Sequence, residues 1–323
     1  MRHGLCFAPC ERIGVRAARP SADGPRAAVR AHHDGAGGFH ARRPTPLIPQ
    51  GPWPISARRV TARPAQGMSG AMFDLLVTDR IARLSLARPE ARNALRVADW
   101  RALPGLVAQA VDAGARAIVL QSAAEGMFCA GADLGELAGL GADAAARQPF
   151  RTAMRAALDA VRASPAPVIA AVDGGCFGAG VALAMACDIR IAGPRALFAV
   201  TPAKLGIGYP LEDIARLHAL VGVGQAARML FGAVTLDAAE AARIGLAEVV
   251  ADEVAQAADA LAAAMAGNSP ASLALLKQGL ALAAGGIASD AGHDAAFDAA
   301  FGAADFAEGI AAFRARRRPE FQG

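Results

Sequence analysis

Residues 173–188 read DGGCFGAGVALAMACD, and this stretch decides the fold. It follows the apolar run PVIAAV at 167–172, and its small residues give way to helix-forming residues from Gly178 onward. A strand, a glycine-rich turn and a helix in this order are typical of an α/β protein. The first backbone N–H groups of such a helix have no partner inside the helix, so they can face an anion or a partly negative oxygen.

A second turn of the same kind lies upstream at 128–137, FCAGADLGEL, after the strand-like run AIVL at 117–120. Taken alone, it could be a simple strand-to-helix turn in which Asp133 favours the start of the helix. Two such turns can also converge on one oxygen and stabilise negative charge that develops there. Neither turn brings an Asp or Glu to the positions where such chemistry usually finds its acid and base.

The rest of the chain supports the α/β assignment. Further strands are predicted at 72–78, 81–86, 188–192 and 197–200, helices at 96–111 and 147–163, and an almost wholly helical chain from Leu211 to the end. We therefore predict parallel strands packed against helices, with a core domain over 72–265 and a C-terminal helical region over 266–323. The glycine-rich turn contains neither GxGxxG nor GxxxxGK[ST], which argues against a nucleotide phosphate loop.

Residues 1–71 differ in composition from the rest. They hold 11 Arg, nine Pro and nine Gly against three acids, a net charge of +8, so that 72–323 carries −4 of the chain's +4. We expect this leader to be disordered. The favoured origin is an upstream translated region with the natural start at Met68 or Met72; a transit peptide and a functional basic tail are the alternatives.

Composition also excludes several classes of protein. The positive charge belongs to the leader, so the basic pI does not indicate a nucleic-acid partner. No uninterrupted apolar run reaches the ~18 residues that a membrane span needs. Cys129, Cys176 and Cys187 have no CxxC spacing, and His293 has no partner at metal-ligand spacing. We expect buried free thiols, no metal, no cofactor and a cytoplasmic, bacterial protein.

Four motifs together resemble one family. LARPEARNAL at 86–95, FCAGADLGEL, PVIAAVDGGCFGAGVALAMACDIRIA and TPAKLGIGYP at 201–210 occur in the order and spacing of the enoyl-CoA hydratase/isomerase (crotonase) family. The C-terminal DFAEGIAAFRARRRPEFQG is similar to the end of that family, so the resemblance covers about 73–323. It implies a spiral of ββα units, a C-terminal helical trimerisation region, a homotrimer or dimer of trimers, and acyl-CoA substrates.

The resemblance also implies site residues. The family's oxyanion hole consists of two backbone N–H groups, which fall here on Ala132 and Ala179. Coenzyme A enters as part of the substrate, and the residues that match its adenine and pantetheine path are Ala91, Ala130, Ala132, Asp133, Leu134 and Gly178. Lys204 is a further candidate for the CoA phosphates, or a solvated lysine. Two fixed N–H donors suit a thioester reaction that passes through an enolate.

The chain departs from the family at three positions. The two glutamates with which hydratases of the family handle water are replaced by Ala182 and Pro202, and an aspartate of some isomerases and dehalogenases by Pro210. None of these side chains can accept or donate a proton, so the two-glutamate hydration mechanism has no support.

The one tyrosine of the chain, Tyr209, is the polar group that remains in this region. Methylmalonyl-CoA decarboxylases of the family also place a tyrosine there, and loss of CO₂ forms an enolate without a base. Tyr209 is therefore a candidate donor or orienting group, or a half-buried aromatic. Glu212, Asp213 and Glu136 are alternative acids, or acids in the first turn of a helix.

These residues are compatible with three functions. The first is decarboxylation of a malonyl-type CoA with Tyr209 positioning or protonating. The second is an enoyl-CoA hydratase or isomerase that uses a displaced acid such as Glu212. The third, from another class, is an acyl-CoA-binding homologue without catalysis.

Overall fold

The computed structural model of the chain describes residues 60–61 and 72–322, which form two β-sheets surrounded by helices. The strands are β1 (Val60–Thr61), β2 (Phe73–Thr78), β3 (Ile81–Leu86), β4 (Ala117–Ser122), β5 (Met127–Cys129), β6 (Val168–Val172), β7 (Gly175–Phe177), β8 (Ile189–Ala192), β9 (Leu197–Ala199), β10 (Leu236–Asp237) and β11 (Val249–Val250).

Ten α-helices accompany these strands in the described part of the chain. They are α1 (Val97–Asp112), α2 (Leu134–Ala142), α3 (Arg147–Ala163), α4 (Ala179–Ala186), α5 (Leu211–Gly232), α6 (Ala238–Arg243), α7 (Val254–Ala266), α8 (Pro270–Ala284), α9 (Ala291–Ala300) and α10 (Ala304–Ala315). Two short 3₁₀ helices, Pro89–Ala91 and Pro202–Leu205, complete the set.

The strands form two sheets, and strands that follow each other in the chain often lie in different sheets. The larger sheet has the order β1-β2-β3-β4-β6-β8-β11, and the smaller one the order β10-β9-β7-β5. Pairs from β3 to β11 are parallel in the larger sheet, as are β5-β7-β9 in the smaller. Three successive units, β4-β5, β6-β7 and β8-β9, each contribute their first strand to the larger sheet and their second to the smaller before a helix follows, whereas β2 and β3 both lie in the larger sheet. This ββα arrangement confirms the predicted fold class.

The central strands β4 and β6 of the larger sheet are buried on both faces, which explains their nearly continuous apolar sequences. In β4, Ile118 and Leu120 belong to the main core, whereas Ala117 and Val119 belong to a second core. The main core includes residues of α1, α3 and α4, and the second is closed by Val254, Ala258, Ala262 and Ala266 of α7. The alternation follows the two-residue period of a strand.

The C-terminal helices are tied to this core by one lysine. Lys277 of α8, whose side chain is 11% exposed, donates to Oδ2 of Asp188 at 2.7 Å and to the carbonyls of Val161 and Ala166 at 3.4 Å. The C-terminal segment also returns to the core, where Arg116 donates to the carbonyl of Phe321 at 2.8 Å. A trimerisation role for α8–α10, and the division at 265/266, stay predictions.

Several local expectations differ from the structure. The segment after Leu211 also contains β10 and β11, whose two residues each are too few to show a strand period in the sequence. The glycine-rich turn contains β7, because pairing with β5 and β9 overrides the low strand propensity of glycine. Val60–Thr61, within the predicted leader, pair with β2; the other leader residues lie outside the described residues.

None of the helices in the described segments is long and apolar enough to cross a bilayer.

Candidate active site

A cavity of about 1010 Å³ lies where the two glycine-containing turns meet. Its wall includes the first turn at 130–135, the second turn at 177–179 and the segment from Thr201 to Pro210. Side chains of α2 and α3 close another side, among them Leu137, Phe150 and Met154. The volume is in the upper part of the range for small-molecule sites, as a ligand as long as acyl-CoA requires.

The two turns meet because the strands before them are neighbours. β5 and β7 are parallel, with Met127 opposite Gly175 and Cys129 opposite Cys176, so both turns leave the same edge of the smaller sheet. A Cβ at Gly131, which has φ +104°, would lie 2.8 Å from the carbonyl oxygen of Phe177 and 3.2 Å from the nitrogen of Ala179. Only glycine permits both this dihedral and this approach.

The predicted oxyanion donors both line this cavity. Ala179 is the first residue of α4, so its N–H has no partner within the helix. Ala132 follows Gly131 in the first turn. Among the described residues, no acceptor lies within hydrogen-bond range of either N–H. Two unpaired N–H groups, one at a helix N-terminus, can stabilise an oxygen that gains negative charge.

A buried asparagine that was not among the residues predicted from the sequence holds the first turn. Asn93 is 0% exposed, and its amide donates to Oγ of Ser122 at 2.8 Å and to the carbonyl of Phe128 at 3.0 Å. Its carbonyl oxygen Oδ1 accepts from the N–H of Arg88 at 2.9 Å. Asn93 has φ +55°, a conformation that asparagine tolerates better than most residues. This tolerance of asparagine for a positive φ was the feature of RPEARNAL from which a turn held by Asn93 could have been predicted.

Asp133, the acid of the first turn, makes structural contacts through its carboxylate. Asp133 caps α2, accepting from the N–H groups of Gly135 and Glu136 at 3.0 and 3.3 Å, and pairs with Arg88 at 3.2 Å. Burial alone would raise the pKa of Asp133, but the hydrogen bonds from Glu136 and Arg88 outweigh it and lower the pKa below its ordinary value. Asp133 is therefore a weak base.

The residues predicted for the CoA path all lie along the cavity wall. They are Ala91, Ala130, Ala132, Asp133, Leu134 and Gly178. Leu134 is 65% exposed, as expected for an apolar side chain at the mouth of a binding site. The structure thus brings together residues from three separate parts of the sequence. Their contact with CoA stays a prediction.

The three positions predicted to depart from the family pattern differ in their placement. Pro202 and Pro210 line the cavity, whereas Ala182 is 0% exposed inside α4. Asp133 is the one acidic residue along the described cavity wall. The cavity thus lacks a free carboxylate on its described wall that could act as a general base.

Tyr209 lines the same cavity and is half-buried. Its hydroxyl donates to the carbonyl oxygen of Gly178 at 3.0 Å. Burial raises the pKa of Tyr209 well above its ordinary value, and Asp213 adds to this effect. Tyr209 is therefore a neutral phenol, and its hydrogen points to the backbone beside Ala179.

The three alternative acids lie outside the cavity lining. Glu212 forms an ion pair with Arg155 and is half-exposed. Glu136 accepts from the N–H of Val97 at 2.6 Å and so caps α1. Asp213 is buried beside Arg216, at 3.2 Å, and burial raises the pKa of Asp213 to about 6. The structure does not bring these carboxylates to Ala132 and Ala179.

Four cationic side chains line the cavity, and only one of them, Lys204, was predicted from the sequence. The others are Arg92, Arg147 and Arg151. Arg147 donates to the carbonyl of Leu140 at 2.8 Å, at the end of α2. Arg147 and Arg151 lie four residues apart on α3, on the side that also carries Phe150, and this helical spacing was the signal available in the sequence. Such a wall suits an anionic ligand.

The described residues contain neither a metal-binding cluster nor a cysteine with a reactive thiolate. No group of three His, Cys, Asp or Glu side chains is placed there to hold a metal ion. Burial raises the pKa of Cys129 and of Cys187 to about 12, so both thiols stay protonated. The expected absence of a metal and of a cofactor stays a prediction, as does the cytoplasmic location.

Comparisons with known proteins agree with this geometry. The family model described as enoyl-CoA hydratase/isomerase matches residues 77–323. A protein of Mycobacterium bovis named "Probable enoyl-CoA hydratase echA6" is 36% identical over 255 residues, covering 78% of this chain and 100% of its own length. The human enoyl-CoA hydratase domain-containing protein 2, mitochondrial, is 32% identical over 287 residues, covering 84% and 97%.

A solved structure shows the same fold. The crystal structure of an enoyl-CoA hydratase/isomerase family member from Hyphomonas neptunium superposes with a TM-score of 0.75 at 36% identity, covering 78% of this chain and 98% of its own. The similarity to this family, in sequence and in fold, therefore extends over nearly the whole described part of the chain. The protein belongs to the enoyl-CoA hydratase/isomerase family, whose members act on CoA thioesters.

Proposed function

We propose that this protein binds an acyl-CoA with its thioester oxygen between the N–H groups of Ala132 and Ala179. The observation that carries the proposal is that Ala132 and Ala179 line one cavity and that neither N–H is hydrogen-bonded to a described residue. An enolate places its negative charge on that oxygen, and two fixed donors stabilise the charge as it forms. Removing one such donor typically costs on the order of 10²–10³ in rate.

The reaction that fits this wall is decarboxylation of a malonyl-type CoA. The bond between the α-carbon and the carboxylate breaks, CO₂ leaves, and the bonding electrons form the enolate that Ala132 and Ala179 hold. Water then protonates the α-carbon. No general base is needed for the first step, which agrees with a described wall whose one acid is paired with Arg88. A free carboxylate would instead repel the substrate's own carboxylate.

The cations of the wall are proposed to hold the anionic parts of the substrate. Arg92 lies beside Ala91, on the proposed CoA path, and Lys204 also lines the cavity. Both suit phosphate groups, for which lysine and arginine are the usual partners. Arg147 and Arg151 lie beside apolar residues of α3, at the part of the cavity left for the acyl group.

A second candidate is an acyl-CoA-binding protein that does not turn its ligand over. It is favoured by the bond from Tyr209 to Gly178, because a hydroxyl engaged with the backbone is not free to protonate a substrate. The hydratase or isomerase alternative through Glu212 or Asp213 draws no support from their placement outside the cavity lining.

One experiment separates these functions. The protein is titrated calorimetrically with methylmalonyl-CoA and with crotonyl-CoA, and products are then identified by mass spectrometry. Propionyl-CoA and CO₂ from methylmalonyl-CoA, with no 3-hydroxybutyryl-CoA from crotonyl-CoA, would support decarboxylation. Binding of both without any product would support the second candidate. Hydration of crotonyl-CoA would overturn the proposed reaction, and failure of both ligands to bind would overturn the proposed site.

We also propose a homotrimer, or a dimer of trimers, built through α8–α10. These helices expose large apolar side chains, and such a face is typical of an interface between subunits. The most exposed are Leu276, Leu280, Phe297 and Phe313, together with Phe301 in the connection between α9 and α10. Sedimentation equilibrium of the full chain tests this, because a monomer at micromolar concentration would contradict it.

A further inference from the structure

The peptide unit between Gly178 and Ala179 is held from one side and open on the other. Its carbonyl oxygen accepts from the hydroxyl of Tyr209 at 3.0 Å, while its N–H makes no hydrogen bond to a described residue, and Ala179 lines the cavity. In a trans peptide the oxygen and the hydrogen point in opposite directions. The direction of the carbonyl bond therefore sets the direction of the N–H.

The conformation of this peptide unit depends on the absence of a side chain at Gly178. Gly178 has φ +53° and ψ −117°, a combination that glycine adopts without a side chain to restrict it. Its carbonyl also accepts from the N–H groups of Val181 and Ala182 at 3.0 and 3.3 Å, as α4 begins. The hydroxyl of Tyr209 is the one donor to this carbonyl that comes from a distant element.

Tyr209 is itself well placed to act as an anchor. Its ring packs against the main core, and Pro210, which follows it, is the N-cap residue of α5. A hydrogen bond to a carbonyl polarises the whole peptide unit and makes its N–H a stronger donor.

We propose that Tyr209 is a positioning residue, which orients and polarises the Gly178–Ala179 peptide so that the N–H of Ala179 binds the thioester oxygen strongly. The inference rests on the proposed function, since it concerns the same oxyanion site. It assigns Tyr209 a role that differs from proton donation, because the hydroxyl hydrogen is directed to Gly178 and not into the cavity.

The test measures how strongly the site polarises a thioester. The full-length protein is mixed with acetyl-CoA labelled with ¹³C at the thioester carbonyl, and the infrared band of the bound carbonyl is compared with that of free acetyl-CoA. In the wild type the band should fall to lower frequency. In Tyr209→Phe it should return at least halfway to the free value. Acetyl-CoA affinity should fall about fivefold, the loss of one ordinary hydrogen bond, with affinity for CoA unchanged.

A second variant covers the case in which Tyr209→Phe does not fold. Tyr209 is the one tyrosine of the chain, so growth of a tyrosine auxotroph on 3,5-difluorotyrosine changes this side chain alone. The ring and hydroxyl remain, but the more acidic phenol is a stronger donor, so the carbonyl band should fall below the wild-type value. His218→Asn, exposed on α5, is the control that should match the wild type.

The outcomes distinguish the inference from the proposed function. Band frequencies that rise in the order difluorotyrosine, tyrosine, phenylalanine support the positioning role. A lowered wild-type band that neither substitution moves overturns that role and leaves the oxyanion site standing. A wild-type band equal to that of free acetyl-CoA overturns the oxyanion site, and the positioning role with it.

Discussion

Gly180 lies so close to Cys129 that a Cβ at position 180 would stand 2.5 Å from the carbonyl oxygen of Cys129 and 2.9 Å from its Cβ. Both residues belong to segments that carry the proposed oxyanion donors, since Cys129 ends β5 and Gly180 lies in the first turn of α4. The absence of a side chain at position 180 is therefore what lets the helix start approach the first turn.

Gly180→Ala should for this reason separate the two turns. We expect a loss of about 1–3 kcal/mol in the free energy of unfolding, the usual cost of overpacking, and weaker binding of acetyl-CoA. Urea unfolding and calorimetry measure both. Gly105→Ala in α1 is the matched control: outside its chain neighbours and the backbone of its own helix, no atom lies within 4 Å of a Cβ there, so it should stabilise the helix by about 0.5–1 kcal/mol. Equal behaviour of the two variants would contradict the interpretation.

Glu212→Gln should leave turnover within twofold of the wild type. Its carboxylate pairs with Arg155 and is half-exposed, and such pairs contribute at most about 1 kcal/mol to stability. The measurement is a rate with whichever acyl-CoA proves to be turned over, together with the unfolding midpoint. A tenfold loss of rate without loss of stability would make Glu212 the displaced acid of a hydratase or isomerase.

Asp213 should give stability a recognisable dependence on pH. Burial raises its pKa from 3.8 to about 6 in the folded protein, and Arg216 offsets this only in part. The folded state then holds the proton more tightly than the unfolded state, so this residue stabilises the protein at low pH and loses that contribution as the pH rises through about 6. The difference amounts to about 3 kcal/mol.

Asp213→Asn removes this titration. Relative to the wild type, the variant should gain stability progressively between about pH 4 and pH 6, and Arg216 keeps its other partner, Asp159, at 3.2 Å. Unfolding curves of both proteins across that pH range provide the comparison. A stability difference that stays constant with pH would show that Asp213 titrates normally.

Lys277→Met should loosen the C-terminal helices. The ammonium bridges α8 to Asp188 and to two carbonyls, and hydrogen bonds to charged groups are worth about 1.5–3 kcal/mol. We expect a loss of that size and faster proteolysis after residue 270. The double variant with Asp188→Asn closes a cycle, in which strictly additive effects would show that the two side chains do not cooperate.

The sequence predicted the α/β fold and the pair of turns because these depend on local patterns. Apolar strands followed by small residues and helices appear directly in the chain, at 167–188 for example. The positions of Glu212 and Glu136 could not be predicted in the same way, because a carboxylate in a first helical turn looks alike whether it faces a cavity or a neighbouring helix. The contact from Tyr209 to Gly178 spans 31 residues and depends on how α5 packs.

The smaller sheet has a consequence for how the chemistry of this protein could change. Its neighbouring strands β5 and β7 deliver the two donor turns, so the distance between the donors follows from the spacing of a backbone ladder. Side-chain replacement cannot delete a peptide N–H, except by proline. The proposed binding of a thioester oxygen would thus not depend on the side chains at 182, 202 and 210. The same backbone could therefore keep its ligand while substitutions around it change which side chains transfer protons.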